Sequence, residues 1–158
     1  MNPSNTPPPP PDPAWKACTC RANHSLQQGC HQQAEAEYRQ ATALAETLLQ
    51  TARVRLDNAH AIHVYAISCH NLAMVYTKLE CNFLAEAALL AAHGAAVGML
   101  EDAGLPQAFR WEALGALRAN MFQFIDFYRN LGRKADLDAI VERSTAPAIR
   151  FLSTLQPP

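Results

Sequence analysis

The most informative part of the chain is residues 65–92, which read YAISCHNLAMVYTKLECNFLAEAALLAA. In its first half, apolar residues recur at intervals of three and four, at Tyr65, Cys69, Leu72, Tyr76 and Leu79. This spacing places them on one face of an α-helix, which has about 3.6 residues per turn. A polar break at 80–82 separates this helix from an alanine-rich one. The segment therefore predicts a helical hairpin.

The same helical character extends in both directions from this hairpin. No proline lies between Pro13 and Pro106, and 29 of the 158 residues are alanine. Asp12 and Pro13 have the chemistry of a helix N-cap and first helical position. The predicted helices cover residues 13–28, 31–56, 59–79, 83–102, 106–131 and 134–144, and Pro147 is expected to open a short last helix ending at Leu155.

The N-terminal segment differs sharply in composition from the rest. Seven of the eleven prolines fall within the first 13 residues, and Pro7–Pro11 is an unbroken run. Such a segment lacks backbone donors and core-forming side chains. We expect residues 1–13 to be a disordered proline-rich tail and residues 14–155 to be one helical domain.

The predicted turns recur at a nearly fixed interval. Gly29 and Glu80 are 51 residues apart, Glu80 and Gly132 are 52 apart, and Ala34 and Ala85 are again 51 apart. A fixed period indicates repeated units that bury their faces against one another. The period predicts three helical hairpins stacked in chain order.

The repeated positions resemble those of the tetratricopeptide repeat (TPR) family. The matching residues are a turn glycine, small residues and an aromatic at the family's spacing: Gly29, Ala34, Tyr38 and Ala41 in the first unit, Leu72, Ala73, Tyr76, Ala85 and Ala92 in the second, and Tyr128 and Gly132 in the third. The period is longer than the family's usual 34 residues. The resemblance covers about residues 17–145 and implies an all-α, right-handed superhelical stack of three helix-turn-helix hairpins with a partner-binding concave groove.

The resemblance also predicts where a partner binds. The first helix of each hairpin lines the groove in that family, which points to the face of the third helix opposite its core stripe. Asn23 and Asn71 fall on first-helix positions similar to those that hold a partner's C-terminal carboxylate in some TPR proteins. The expected partner-binding groove comprises Asn23, His63, His70, Asn71, Met74, Thr77, Lys78, Arg118 and Phe122.

Metal-binding patterns are weak. Cys18 and Cys20 precede Cys30 and His31, but Cys18 and Cys20 would point about 160° apart on a helix and could not chelate one ion. His60, His63 and His70 share a helix face, with Asp57 as the best further ligand candidate. We therefore expect no metal and no cofactor, and keep a histidine-based metal or pH sensor as an alternative.

Composition narrows the classes of function. The formal net charge of −1 disfavours sequence-independent nucleic-acid binding. The N-terminus lacks the pattern of a secretory signal, no run of about 18 apolar residues suggests a membrane span, and the five cysteines read as reduced thiols. We expect a cytoplasmic protein without a membrane span. Phosphate-loop, metalloprotease and nucleophile-elbow motifs are missing from the sequence, so we expect no enzymatic activity.

The leading hypothesis is a protein–protein interaction module, such as an adaptor, scaffold or chaperone-like protein, that binds a peptide or protein partner in its groove. The main alternative is a structural or regulatory subunit that forms a homo-oligomer through exposed aromatic residues, for which Trp111, Phe122 and Phe127 are the candidates.

Overall fold

The computed structural model describes residues 12–155, which form six α-helices and contain no β-strand. The helices are α1 (Pro13–Gln27), α2 (His31–Arg55), α3 (Ala61–Lys78), α4 (Asn82–Glu101), α5 (Gln107–Asn130) and α6 (Lys134–Ser153). The all-α prediction is confirmed. Residues 1–11 of the expected tail lie outside the described residues.

The first helix begins where the sequence predicts. The Asp12 carboxylate accepts hydrogen bonds from the backbone N–H groups of Ala14 and Trp15, at 2.9 and 3.1 Å. Pro13 follows at the first helical position, where the missing N–H costs nothing. The sequence predicts Asp12 and Pro13 both as a helix start and as the last residues of the tail, and they lie at the start of α1.

Three short turns, at residues 28–30, 79–81 and 131–133, share one backbone geometry. Gly29, Glu80 and Gly132 all have positive φ, at 75°, 59° and 66°. In each turn the backbone N–H of this residue donates a hydrogen bond to the carbonyl three residues earlier. The N–H of the next residue donates to the carbonyl five residues earlier. The left-handed residue ends one helix and redirects the chain into the next. The interval of 51 and 52 residues read from the sequence thus recurs in the backbone.

The C-terminal region departs from the prediction. Residues 134–153 form one continuous helix, whereas the sequence indicated a break before Pro147. Pro147 removes one backbone hydrogen bond from α6, at a typical cost of about 3 kcal/mol. Burial of Pro147 and of Phe151, which is 1% exposed, offsets that cost by anchoring the helix beyond the proline. Tertiary packing has overridden the local preference of proline.

The helices pack mainly with their neighbours in chain order, and α3 also meets α5 while α4 meets α6. Two hydrophobic clusters run across the helices. One lies near the ends that carry the five-residue connections and includes Trp15, Ile62, Leu100 and Phe151. The other lies near the three short turns and includes Tyr38, Leu89, Phe124 and Ile140. All six helices contribute to both clusters.

Helix α4 is long and apolar enough to cross a membrane by length and composition alone, with a mean hydropathy of 1.6 in its best window. In this fold eight of its residues are buried, and the helix packs against α3 and α5. Ala85, Ala92 and Ala96 have no exposed surface, as close approach of neighbouring helices requires.

Candidate functional site

A surface cavity of about 270 Å³ lies between α3 and α5. Its α3 wall contains four residues of the predicted groove, His70, Met74, Thr77 and Lys78. The remaining lining residues are Ala73 on α3, Asn82 and Leu89 on α4, Gln123, Asp126, Phe127 and Asn130 on α5, and Leu131 beyond it. The structure therefore brings four of the nine predicted residues against α5 residues more than forty positions later in the chain.

The cavity combines an apolar interior with a polar edge. Leu89 and Phe127 are buried, whereas Met74 is 40% exposed. Lys78 and Asp126 place one charge of each sign at the cavity, and Asn82 and Asn130 add amide donors and acceptors. The arrangement can hold an apolar side chain while hydrogen bonding to the polar groups beside it.

His70 is tied to the fold as well as to the cavity. Its Nε2 atom is hydrogen bonded to Oδ1 of Asn120 on α5, and Asn120 is only 1% exposed. An amide oxygen only accepts, so Nε2 carries the proton. Burial lowers the pKa of His70, and the hydrogen bond to Asn120 raises it by a smaller amount. His70 is therefore a neutral group that links α3 to α5.

The buried amide of Asn120 is incompletely paired. Its Nδ2 atom has no hydrogen-bond partner among the described residues. Substituting His70 would also deprive Oδ1 of its donor, and unpaired buried polar groups typically cost about 1–3 kcal/mol each. His70 is consequently a poor position at which to test ligand binding alone.

His63 lies outside this cavity, two helical turns before His70. Its Nε2 atom is 2.7 Å from Oε2 of Glu112 on α5, and Nδ1 of His60 is 3.4 Å from the same oxygen. His60, His63 and Glu112 form a cluster of potential metal ligands. The cluster contains Glu112 rather than Asp57, the further ligand that the sequence suggested.

The other predicted groove residues are dispersed. Asn23 on α1 accepts a 2.6 Å hydrogen bond from the Tyr38 hydroxyl, and Asn71 is half-buried on α3. Arg118 and Phe122 line a second groove, of about 400 Å³, between α5 and α6. The structure thus does not bring the nine predicted residues into one site.

Three polar residues on the α5 side of the cavity were not predicted from the sequence, although the repeat contains the signal for them. Gln123, Asp126 and Asn130 lie 52 residues after Asn71, Met74 and Lys78, the same offset that separates Glu80 from Gly132. Applying the period to the predicted groove face would have found all three. Phe127, expected to be exposed, is 8% exposed and lines the cavity, because it belongs to the hydrophobic cluster near the three short turns.

Among the other candidate aromatics, Phe122 is 59% exposed and Trp111 is 46% exposed, as predicted. Trp111 nevertheless packs on Phe151 in a T-shaped arrangement, with the ring centroids 5.4 Å apart. Of the five cysteines, all free thiols, Cys18 and Cys69 are buried and the other three are exposed. Cys18 and Cys20 face opposite sides of α1, in agreement with the argument against a shared ion.

Comparison with known proteins identifies one family. Residues 13–147 match the family described as "Protein of unknown function (DUF2753)", and the chain belongs to that family. No curated protein and no solved structure matches the chain. The family match spans α1 to α5 and most of α6.

Proposed function

We propose that this protein is a non-enzymatic interaction module, acting as an adaptor, scaffold or chaperone-like protein, that binds an extended peptide segment of a protein partner between α3 and α5. The observation that carries the proposal is the cavity whose walls contain Met74, Thr77 and Lys78 on one helix and Asp126 and Asn130 on the other. It requires neither a cofactor nor a nucleic acid.

A TPR-like, right-handed stack of three hairpins is the architecture that we propose for this function. Its support is the repetition of one turn geometry at Gly29, Glu80 and Gly132. Contacts between units also repeat, since the Tyr76 hydroxyl donates to Glu35 and the Tyr128 hydroxyl donates to Glu86. The two donors are 52 residues apart and the two acceptors 51. In such a stack α3 and α5 are first helices of adjacent hairpins and line one groove.

The size and chemistry of the cavity favour a peptide over a small-molecule cofactor. About 270 Å³ lies just below the roughly 300–1,000 Å³ typical of sites that enclose a small ligand. One apolar side chain of a peptide can occupy the space above Leu89 and Phe127. The amides of Asn82, Gln123 and Asn130 can then hydrogen bond to the extended peptide backbone.

The test is selection of random twelve-residue peptides on the immobilised full-length protein, followed by affinity measurement of the enriched peptides. Met74→Glu places a carboxylate at the apolar opening and should weaken binding at least tenfold, or about 1.4 kcal/mol. Val54→Glu is the matched control, because Val54 is 84% exposed on α2, away from the cavity. It should change affinity less than twofold.

The proposal fails if no enriched peptide discriminates between the Met74 and Val54 variants. Lys78→Ala provides a second variant, which should weaken acidic peptides more than neutral ones because it removes the cavity's lysine. Circular dichroism spectra matching the parent would show that each variant keeps its helices.

A second candidate function is self-association through the groove between α5 and α6. That groove is almost entirely apolar, and Phe122, Val141, Ile149 and Leu152 along it are each at least 42% exposed. A second copy is the occupant we consider, since the same patch offers a protruding ring at Phe122 and a recess beside it. A two-fold axis can pair such a patch with itself.

The oligomeric state tests this second candidate. Light scattering coupled to size-exclusion chromatography should give a dimer mass for the parent and a monomer mass for Phe122→Glu, with Val54→Glu unchanged as the dimer. A monomeric parent at concentrations of about 100 μM would eliminate it.

A further inference from the structure

Two histidines converge on one carboxylate oxygen at the start of the α3–α5 contact. His60 directly precedes α3, His63 lies in the first turn of α3, and Glu112 lies in the second turn of α5. Glu112 Oε2 is 2.7 Å from His63 Nε2 and 3.4 Å from His60 Nδ1. Each of the three residues offers one ligand atom within 4.8 Å of those of the other two. A single hydrogen bond between α3 and α5 would need only one of these histidines.

The two distances to Glu112 Oε2 can be compared with those of a tetrahedral metal centre. Bonds of about 2.0–2.1 Å from a zinc ion to nitrogen and oxygen place neighbouring ligand atoms about 3.3–3.4 Å apart. The His60–Glu112 separation already has this value. The His63–Glu112 pair must open by roughly 0.6 Å, which a small rotation of the Glu112 carboxylate accomplishes.

The backbone beside the cluster leaves room for the His63 ring. A Cβ atom added at Gly115 would lie 3.3 Å from Cε1 and 3.7 Å from Nε2 of His63. The ring therefore lies close above the α5 backbone, one turn after Glu112. The His60, His63 and Glu112 side chains are 43%, 34% and 30% exposed, so an ion can enter from solvent and keep a water molecule as its fourth ligand.

We propose that His60, His63 and Glu112 form a binding site for a divalent transition-metal ion, with Zn²⁺ as its representative. Two imidazoles and one carboxylate match the preference of such ions, whereas Mg²⁺ and Ca²⁺ select oxygen ligands. The bound ion joins the beginning of α3 to α5 at a site separate from the peptide cavity, so this site does not depend on the proposed peptide binding.

The experiment is calorimetric titration of chelator-treated, full-length protein with ZnCl₂ alone. Cys20, Cys30 and Cys81 are exposed and could bind zinc, so every protein compared carries serine at these three positions. We expect one ion per chain for this parent and no saturable heat with MgCl₂. His60→Asn and Glu112→Gln each remove one ligand and should weaken zinc binding at least tenfold, whereas His24→Ala, on exposed α1 surface, should change it less than twofold.

Gly115→Ala supplies an independent variant that keeps all three ligands. Its methyl group contacts the His63 ring and should weaken zinc affinity several-fold while the helical circular dichroism spectrum is retained. The site is refuted if the parent shows no saturable zinc binding at 100 μM protein. The site is also refuted if zinc affinity is unchanged by both His60→Asn and Glu112→Gln. The same holds if His24→Ala weakens zinc binding as strongly as these two substitutions do.

Discussion

At the scale of single residues, half-buried His70 and buried His93 contrast with the histidine pair beside Glu112. Burial lowers the pKa of His70, and burial together with the nearby Arg143 lowers the pKa of His93. His93 Nε2 is 2.9 Å from the Ser144 hydroxyl, and the His93 ring packs on Phe124 in a T-shaped arrangement. Lys78 and Asp126 line the same cavity as His70. Both histidines are thus held neutral inside the fold.

These pKa shifts predict acid destabilisation. Between its lowered folded-state pKa and the unfolded value of about 6.5, each histidine binds more protons in the unfolded chain. The stability that the two neutral histidines contribute is therefore fully present above pH 6.5 and declines as the pH falls below that value. Urea unfolding at pH 7.5 and 5.5 should show a lower free energy of unfolding at pH 5.5.

Glutamine substitution separates these histidines from other titrating groups. His70→Gln and His93→Gln keep a hydrogen-bonding amide without a titratable ring. The double variant should lose less stability between pH 7.5 and 5.5 than the parent. An equal loss in both proteins would assign the acid sensitivity to other groups.

Glu80 gives a second prediction at this scale. It adopts the left-handed conformation that glycine occupies in the equivalent turns. Glu80→Gly should stabilise the protein by about 0.5–1 kcal/mol. This net gain is the backbone strain relieved in the folded state, reduced by the greater conformational entropy of glycine in the unfolded chain. Gly132→Ala should destabilise it by about 1 kcal/mol. Thermal unfolding of the two variants should therefore shift in opposite directions, and a loss on Glu80→Gly would contradict the strain argument.

At the scale of helices, the close packing of α4 against its neighbours depends on small buried residues. Ala85 and Ala92 have no exposed surface, which allows α4 to approach its neighbours closely. The preceding α3 uses larger side chains, with Tyr65 and Tyr76 beside its short ones. Small residues on one helix thus accommodate bulky residues on another, as interior packing density requires.

Overpacking tests this contact face. Ala85→Leu or Ala92→Leu should destabilise the protein by about 1–3 kcal/mol, because added methylenes cannot fit between closely packed helices. Ala91→Leu is the matched control, since Ala91 is an exposed neighbour on the same helix, and should stay within about 0.5 kcal/mol of the parent. Equal unfolding free energies for all four proteins would show that α4 packs loosely.

At the scale of the whole molecule, the two hydrophobic clusters share all six helices. Leu100 belongs to one cluster and Leu89 to the other, and both lie on α4. Disruption of either cluster therefore removes support from helices that also build the other. We expect the described helices to unfold in one cooperative transition.

Two leucine truncations test this coupling. Leu89→Ala and Leu100→Ala should each cost about 2–5 kcal/mol. In urea, the circular dichroism transition should coincide with the fluorescence transition of Trp15 and Trp111, both in or against the cluster that holds Leu100. A Leu89→Ala protein whose helicity falls before its tryptophan signal would show that the clusters unfold independently.

The positions of the helices and turns follow from the sequence because their causes are local. Asp12 caps the backbone N–H groups of Ala14 and Trp15, and Gly29 and Gly132 follow the ends of helices. The apolar spacing of α3 identifies its buried face. Each of these effects acts within a few residues. Pro147 is the exception, where burial at the far end of α6 outweighs a local break.

Which residues come together in the cavity, the groove and the histidine cluster depends on the tertiary structure. Glu112 meets His63 across 49 positions, Asn120 meets His70 across 50, and Arg118 and Phe122 belong to a different groove. Each residue step rotates a side chain by about 100° around its helix. The pairing of distant faces therefore depends on how each helix is rotated against the next, which is determined by packing across the whole core rather than by any local pattern.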